Sequence, residues 1–320
     1  MDASDKDKGE NGGGPTDFQA LCAKVISLEV PYEDVAERIE DLAYLEQGRG
    51  DLEGVVGQLE RVAHVFESLR NKNEEVSRDL AQVYLLIGQI YQFTGMYGDS
   101  IEWLNKSVIV DDMYPVSYHS LAVSYQGIGD TASAVKSLEQ EVTVAPGNYY
   151  TYLLLAGIYE KNGMDSEFEG VLKRLLERDP DNIQGLHRLI RHYERYAAQV
   201  DVELLRHRLL GRAEGLSRIE AVIRAYHLCR AGRHGEALGF LNQWSGGAPH
   251  VSIIHLAKAH IYGLTHQYSK KRHELSLFKE KNHGRDDVME IKMQEFASVF
   301  GEGAAEKLRQ RLRVAYMMPA

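Results

Sequence analysis

The sequence predicts an all-α solenoid, a stack of antiparallel helix hairpins, because four sets of residues recur together at one interval. Each set contains three identical residues spaced by 34 positions: Tyr84, Tyr118 and Tyr152; Tyr91, Tyr125 and Tyr159; Gly95, Gly129 and Gly163; Leu104, Leu138 and Leu172. The chain also shows no convincing alternation of apolar and polar residues of the kind that marks β-strands. One structural unit, copied and stacked, explains both observations, whereas a single compact domain does not.

The residues before the repeats predict a tail followed by helices. Residues 1–16 are charged and glycine-rich, so we expect them to be disordered. Residues 17–80 are predicted to form an atypical helical region that caps the array, with helices near 17–29, 31–45 and 52–69. The third of these has apolar residues at i, i+3, i+4 and i+7, which is typical of a helix with one buried face.

Three well-matched repeats are predicted over residues 81–182. They occupy residues 81–114, 115–148 and 149–182. In each repeat the first helix ends at the turn glycine, because the reversal of the chain favours a residue that tolerates a positive φ. In the second and third repeats Pro146 and Pro180 follow the second helix, since proline cannot continue it.

Degenerate repeats are predicted over residues 183–285, and C-terminal capping helices over residues 286–320. The fourth repeat has Ala197 at the turn site and Arg206 where a leucine is expected. The fifth repeat recovers the pattern, and the sixth has His266 at its turn. Because the end of a stacked array needs a polar outer surface, an atypical last segment is expected.

The three regular repeats resemble the tetratricopeptide repeat family, whose unit has an early aromatic residue, a small residue, a tyrosine, a turn glycine and a late proline. The third repeat carries the match at Tyr152, Leu155, Ala156, Tyr159, Gly163, Phe168, Leu172 and Pro180. Phe168 departs from the small residue usual at its site, and Asp112 replaces the proline in the first repeat. The resemblance implies a right-handed superhelix with a concave groove lined by first helices. It also implies protein or peptide binding rather than catalysis.

The resemblance further implies that the second, fifth, ninth and twelfth residues of each first helix face the groove. The predicted partner-binding residues are Gln82, Leu85, Gln89, Gln92, His119, Gln126, Tyr150, Leu153, His187 and Arg191. Among the groove positions of the three regular repeats only Glu160 carries a formal charge, and the lysine, asparagine and arginine with which one subclass grips a carboxylate are absent. Glutamine, histidine, leucine and valine instead suit an extended or helical segment with apolar anchors.

The charge is unevenly distributed around a net value of −10. Residues 1–160 contain 11 basic and 27 acidic residues, whereas residues 161–320 contain 26 and 20. The opposite charges of the two halves predict a homo-oligomer in which acidic and basic ends meet. The arginine-rich stretch over 188–212 predicts an acidic partner, or contact with the chain's own acidic half, since arginine recognises carboxylates through paired donors. Ordinary solvated helix faces are the third interpretation. The negative net charge disfavours nucleic acid.

Several other classes of function lack support in the sequence. The spacings of His250, His255, His260 and His266 do not fit a helical zinc pair, which requires i, i+4. We find no nucleophile–base pair and no phosphate-binding loop, so neither an enzyme activity nor a cofactor is expected. Cys22 and Cys229 are expected to be reduced thiols. Without a hydrophobic span or an export signal near the N-terminus, a cytoplasmic location is expected.

The predicted function is a non-enzymatic scaffold or adaptor that binds a partner peptide or helix in its groove. Two alternatives remain open at the level of sequence. One is a structural scaffold that assembles through charge-complementary ends, and the other is a regulatory or accessory subunit of an enzyme complex.

Overall fold

A computed structural model describes residues 20, 22, 52–69, 74–196, 202–212, 214–244, 252–282 and 285–314, and these contain α-helices and turns but no β-strand. The predicted all-α solenoid fold is thereby confirmed. The predicted tail, the helices near 17–29 and 31–45 apart from Ala20 and Cys22, and the turn at Ala197 lie outside the described residues. The chain divides into an N-terminal unit, Met1–Met164, and a C-terminal unit, Asp165–Ala320.

The described part of the N-terminal unit contains six helices. They are α1 (Leu52–Leu69), α2 (Glu74–Phe93), α3 (Tyr97–Val110), α4 (Pro115–Gly127), α5 (Thr131–Val144) and α6 (Tyr149–Lys161). Helices α2 and α3 form one hairpin and α4 and α5 the next, and each helix from α1 to α5 packs against the one that follows. Helix α2 begins at Glu74 rather than at the predicted Ala81, so the first hairpin has a longer first helix than its successors.

The turn glycines adopt the conformation that the repeat pattern predicts. Gly95, Gly129 and Gly163 have φ values of 77°, 80° and 67°, a region that residues with a Cβ rarely enter. Gly88 has a different role, because a Cβ at this position would lie 2.6 Å from Cγ of Leu104. Glycine at position 88 therefore allows α2 and α3 to approach closely.

Tyr118 and Tyr152 occupy equivalent environments, whereas the hydroxyl of Tyr84 donates to the Glu67 carboxylate. Tyr84, Tyr118 and Tyr152 are all buried. The Tyr118 hydroxyl donates to the backbone oxygen of Asp112 at 3.1 Å, and the Tyr152 hydroxyl donates to that of Pro146 at 3.1 Å. In both cases the acceptor lies six residues before the tyrosine, in the linker that precedes the helix. All three tyrosines therefore belong to the core, and Tyr118 and Tyr152 also join their helices to the preceding linkers.

The described part of the C-terminal unit contains nine helices. They are α7 (Asp165–Arg178), α8 (Ile183–Tyr196), α9 (Val202–Gly211), α10 (Arg218–Arg230), α11 (His234–Gln243), α12 (Ser252–Leu264), α13 (Tyr268–Lys281), α14 (Asp286–Phe300) and α15 (Glu302–Val314). Consecutive hairpins are formed by α8 with α9, α10 with α11, α12 with α13, and α14 with α15. Gly232 has φ 74° in the turn of the fifth repeat, and His266 takes the same turn with φ 57° in the sixth.

Candidate functional site

The first candidate site is a row of side chains that we call the open face, which consists of Val116, His119 and Val123 with Gln126 of α4 and Tyr150 of α6. The four α4 positions are spaced by three, four and three residues, so they lie on one side of the helix. Val116 is 41% exposed, Val123 is 40% exposed, and Gln126 is also exposed. The open face therefore offers apolar side chains to solvent between polar, uncharged ones.

His119 and Tyr150 connect the two helices of the open face. Their ring centroids are 6.2 Å apart, and Tyr150 is 53% exposed. Nδ1 of His119 lies 3.2 Å from Oε2 of Glu141. The imidazole is thus held between a buried carboxylate on one side and an exposed aromatic ring on the other.

Glu141 of α5 fixes the geometry beneath the open face. Its side chain is buried, and its Oε1 accepts hydrogen bonds from Nδ2 of Asn148 at 2.9 Å and from Oγ1 of Thr151 at 2.7 Å. Together with His119, the donors come from α4, from the α5–α6 linker and from α6. A buried carboxylate is costly unless such donors surround it, so this network specifies how α4 and α6 lie relative to each other.

The glutamines of α2 are used within the structure. Nε2 of Gln92 donates to the backbone oxygen of Ser120 at 2.9 Å and to Oγ of Ser124 at 2.8 Å. Nε2 of Gln89 donates to Oγ of Ser120 at 3.4 Å. Both side chains are half-buried and bridge α2 to α4. Their amide groups therefore hold neighbouring first helices together.

The remaining predicted contacts of the N-terminal unit are less accessible. Leu85 is buried in a cluster with Leu104 and Leu121, Leu153 is buried, and Gln82 is half-buried. Of the ten predicted partner-binding residues, the structure brings His119, Gln126 and Tyr150 together on one accessible surface. The role of all ten as contacts stays a prediction.

The corresponding positions in the C-terminal unit form what we call the covered face, which consists of His187 and Arg191 of α8, Tyr226 of α10 and His260 of α12. His187 is buried, and its Nδ1 lies 3.0 Å from Nε2 of His227. Its ring also meets that of Tyr226 edge-on at 5.5 Å. His187 is therefore a packed residue with almost no surface of its own.

Helix α14 of the same chain lies on the covered face. Nη1 of Arg191 donates to the backbone oxygen of Ser298 at 2.6 Å. The Phe300 ring meets the ring of Tyr226 at 5.3 Å and that of His260 at 4.9 Å. The groove positions of three successive first helices are thus occupied by the chain itself.

The pKa values of His187, His227 and His260 are lowered by their surroundings. Burial lowers the pKa of His187 well below its usual value, and the neighbouring His227 and Arg191 lower it further. Burial, with smaller effects from Arg206, Arg230 and Arg191, lowers the pKa of His227 to about 3. Burial, assisted by Lys271 and Lys307, lowers the pKa of His260 to about 4. Each ring is therefore surrounded by apolar groups and cations that disfavour its protonation.

Two segments of the chain match models of a known protein family. The tetratricopeptide repeat family matches residues 81–109 and residues 129–191. The chain therefore contains tetratricopeptide repeats in these two segments. The resemblance predicted from Tyr152 and its equivalents is confirmed. Tetratricopeptide repeats are generally protein-interaction modules, and their presence supports a protein-interaction scaffold.

Three solved structures are among those found similar to the chain. The MamA protein is 16% identical, with a TM-score of 0.42 over 61% of this chain and 98% of its own. PilF of Pseudomonas aeruginosa is 15% identical, with a TM-score of 0.45 over 71% of this chain and 99% of its own. YrrB, described as a TPR protein with an unusual peptide-binding site, is 13% identical, with a TM-score of 0.41 over 60% of this chain and 91% of its own. No curated protein matches the sequence.

The arginine-rich stretch of the tetratricopeptide repeat protein makes many contacts within its own unit. Nη2 of Arg206 donates to Oε1 of Glu194 at 2.6 Å, and Arg206 also pairs with Glu203. Arg208 donates to the backbone oxygen of Pro180, and Nη1 of Arg212 lies 3.5 Å from the backbone oxygen of Asp181. Arg206 thus replaces the expected leucine as a buried residue with two carboxylate partners. These arginines stabilise α9 and the linker before α8.

Two features of the site region are absent from the predictions made from the sequence. Glu141 falls on the buried stripe with Ala134 and Leu138, at spacings of four and three, and a charge on such a stripe is the signal that a buried network exists. The contact of Phe300 with Tyr226 has no comparable signal, because it joins residues that no repeat spacing relates.

Further properties of the described residues bear on other kinds of site. None of the described helices combines the length and the apolar character that a membrane span requires. The described part of the chain also contains no cluster of three His, Cys, Asp or Glu side chains placed to hold a metal ion.

Proposed function

We propose that this protein is a non-enzymatic adaptor that binds a segment of a partner protein along the open face. The observation that carries the proposal is the exposure of Val116, Val123 and Tyr150 on adjacent helices, flanked by His119 and Gln126. Solvent-exposed apolar side chains in a row mark a surface that gains from being covered.

The chemistry of the open face suits an apolar, uncharged segment of the partner. Covering the half-exposed Val116, Val123 and Tyr150 contributes on the order of 1 kcal/mol for each side chain. Gln126 and the outer side of the His119 ring supply groups that can hydrogen-bond polar atoms of the segment. The open face carries no cation to grip a carboxylate, so the partner segment is bound by its side chains rather than by its terminus.

Affinity capture with matched variants tests the proposal. Val123→Glu places a charge at the centre of the open face, and Ile109→Glu places the same charge on α3, where Ile109 is 77% exposed. We expect partners recovered by the wild-type chain to be lost with Val123→Glu and retained with Ile109→Glu. Equal recovery with both variants, or equal loss, contradicts binding at the open face.

The acidic partner at residues 188–212 and the homo-oligomer are weaker proposals than the open face. Arg206, Arg208 and Arg212 already have partners in their own unit, so an acidic ligand would have to displace them. Light scattering at low and high salt tests the oligomer, since a complex held by opposite charges dissociates as salt rises. A single, salt-independent mass equal to that of the monomer excludes it.

A further inference from the structure

Helix α14 contacts more first helices than stacking requires. In the C-terminal unit each first helix packs beside the first helix of the next hairpin: α8 beside α10, α10 beside α12, and α12 beside α14. Helix α14 additionally packs against α10 and reaches α8 through the hydrogen bond between Arg191 and Ser298. It therefore extends the row by one and also lies across the faces of the two first helices before α12.

Two phenylalanines anchor α14 on this surface. Phe296 and Phe300 are one helical turn apart, and their rings stack with centroids 4.6 Å apart. Phe296 is fully buried and meets the His260 ring at 5.8 Å, while Phe300 fits between Tyr226 and His260. Pairs of aromatic side chains in such edge-on contacts contribute beyond the area that they bury.

A hydrogen bond to the backbone completes the contact. Arg191 donates to the carbonyl oxygen of Ser298, a group that any helix ending near this point presents regardless of its sequence. Since the last carbonyls of a helix have no partner within the helix, a cation that meets them there is favourable. The contacts that depend on the sequence of α14 include those of the two phenylalanines.

The opposite side of α14 faces solvent. Ile291 is 51% exposed, and Ser298 is exposed as well. At its C-terminal end the helix stops at Gly301, which has φ 88°. Helix α14 is therefore an amphipathic helix with one face in a groove, which is the arrangement in which grooves bind helical peptides.

We propose that the covered face is a helix-binding groove, filled in this structure by the chain's own α14, and that it accepts a partner helix with two phenylalanines four residues apart. The occupant is argued from the helix that is already seated there. Binding of the partner helix requires release of α14, so the groove is available only in competition with its own chain. This site is independent of the open face, and either can fail without the other.

A labelled peptide tests the groove in the full-length chain. The probe is a fluorescein-labelled peptide with the sequence of residues 285–301, measured by fluorescence anisotropy. We expect weak binding to the wild-type chain, whose groove is full, and binding at least about tenfold tighter to Phe300→Ala, whose own helix has lost one anchor. A peptide with both phenylalanines changed to alanine should bind neither protein.

The matched control is Ile291→Ala, which removes an apolar side chain from the exposed side of the same helix and should behave as the wild type. If Phe300→Ala does not fold, as judged by circular dichroism, Arg191→Gln replaces it, since this change removes the bond to Ser298 without touching the buried phenylalanines. Hydrogen exchange of residues 286–300 should then become faster than that of residues 253–264. A folded variant that binds the peptide no more tightly than the wild type, with unchanged exchange of 286–300, overturns the proposal.

Discussion

The open face of the N-terminal unit and the covered face of the C-terminal unit consist of equivalent positions of the repeat. The open face is exposed to solvent, whereas α14 of the same chain lies on the covered face. Val123 and Tyr150 are left exposed over a buried network around Glu141. The ring of Phe300 from the same chain fills the space between Tyr226 and His260. The repeat therefore determines where each face lies. The side chains on the face determine whether another helix of the chain covers that face or leaves it exposed.

The two units also bury different polar groups. The N-terminal unit pairs serine hydroxyls, with Oγ of Ser107 2.7 Å from Oγ of Ser117 and Oγ of Ser100 2.8 Å from Oγ of Ser124. Hydroxyls keep their charge state at every ordinary pH. The C-terminal unit buries imidazoles, whose charge state changes near pH 6.5 in an unfolded chain. The two units should therefore respond differently to acid.

Acid should give the largest contrast between the units. His187, His227 and His260 have folded-state pKa values below their unfolded value, so folding requires them to stay neutral. Their contribution is complete above about pH 6.5 and is lost as the pH falls, by up to about 1.4 kcal/mol per pH unit for each ring. The C-terminal unit should thus lose several kcal/mol between pH 7 and pH 5.

The two tryptophans allow each unit to be followed separately. Trp103 lies in α3 and Trp244 follows α11, so Trp103→Phe leaves a reporter in the C-terminal unit and Trp244→Phe leaves one in the N-terminal unit. Urea unfolding followed by fluorescence at pH 7 and pH 5 should show a loss mainly at Trp244. His273→Gln, at an exposed position, is the control without effect. Equal losses from both reporters would show that the histidines do not set the acid response.

A pair of neighbouring tyrosines separates core from surface in the N-terminal unit. Tyr152 is fully buried, and its replacement by alanine should cost about 3–5 kcal/mol of unfolding free energy. Tyr150 is exposed, so Tyr150→Ala should change stability by less than about 0.5 kcal/mol while weakening partner binding. Urea unfolding followed at Trp103 measures both effects. A similar cost for the two variants contradicts the assignment of Tyr150 to the open face.

Two glycines should respond to alanine with opposite signs. Gly88→Ala forces a methyl group towards Leu104 and should destabilise the N-terminal unit by about 1–3 kcal/mol. Gly57 lies within α1 with open space around its Cβ position, so Gly57→Ala should stabilise the unit by about 0.5–1 kcal/mol. Thermal unfolding followed by circular dichroism distinguishes the signs. A stabilising Gly88→Ala would mean that α2 and α3 can separate without cost.

The smallest expected effect concerns the turns. His266 has a positive φ where the regular repeats have glycine, and such a conformation costs roughly 1 kcal/mol. His266→Gly should stabilise the C-terminal unit by less than about 1 kcal/mol, because the contact of His266 with the Tyr268 hydroxyl is lost at the same time. Gly129→Ala, the reverse change, should destabilise the N-terminal unit. Urea midpoints from the two single-tryptophan variants measure these shifts, and a destabilising His266→Gly counts against strain at this turn.

The parts of the structure that the sequence predicts are those that repeat. Gly95 and its equivalents share one backbone conformation, and Tyr118 and Tyr152 share one hydrogen bond, so a period of 34 residues is enough to locate them. For the open face, the resemblance to the family predicts that His119 and Gln126 face the groove. The resemblance predicts the same for Gln92, although the amide of Gln92 donates to Ser124.

The features that the sequence does not predict arise from contacts outside the period. Arg191 and Phe300 meet the covered face through a backbone oxygen and through aromatic edges, and neither kind of contact requires a recurring residue. The arginines after residue 188 also make contacts that the sequence does not predict. Arg208 donates to the backbone oxygen of Pro180, and every residue type has such an oxygen. The basic composition therefore predicts an acidic ligand. In the structure, carbonyl and carboxylate groups of the same unit already bind these arginines.

The hydrogen bonds of Tyr118 and Tyr152 have a consequence for how the array can change in length. Each joins a helix to the segment six residues upstream, and the acceptor is a main-chain oxygen that every amino acid supplies. An in-frame deletion of residues 115–148 would place Asp112 six residues before Tyr152, which restores the same junction. Gene duplication or loss of a whole repeat can thus lengthen or shorten the binding surface in steps, without a compensating mutation at the seam.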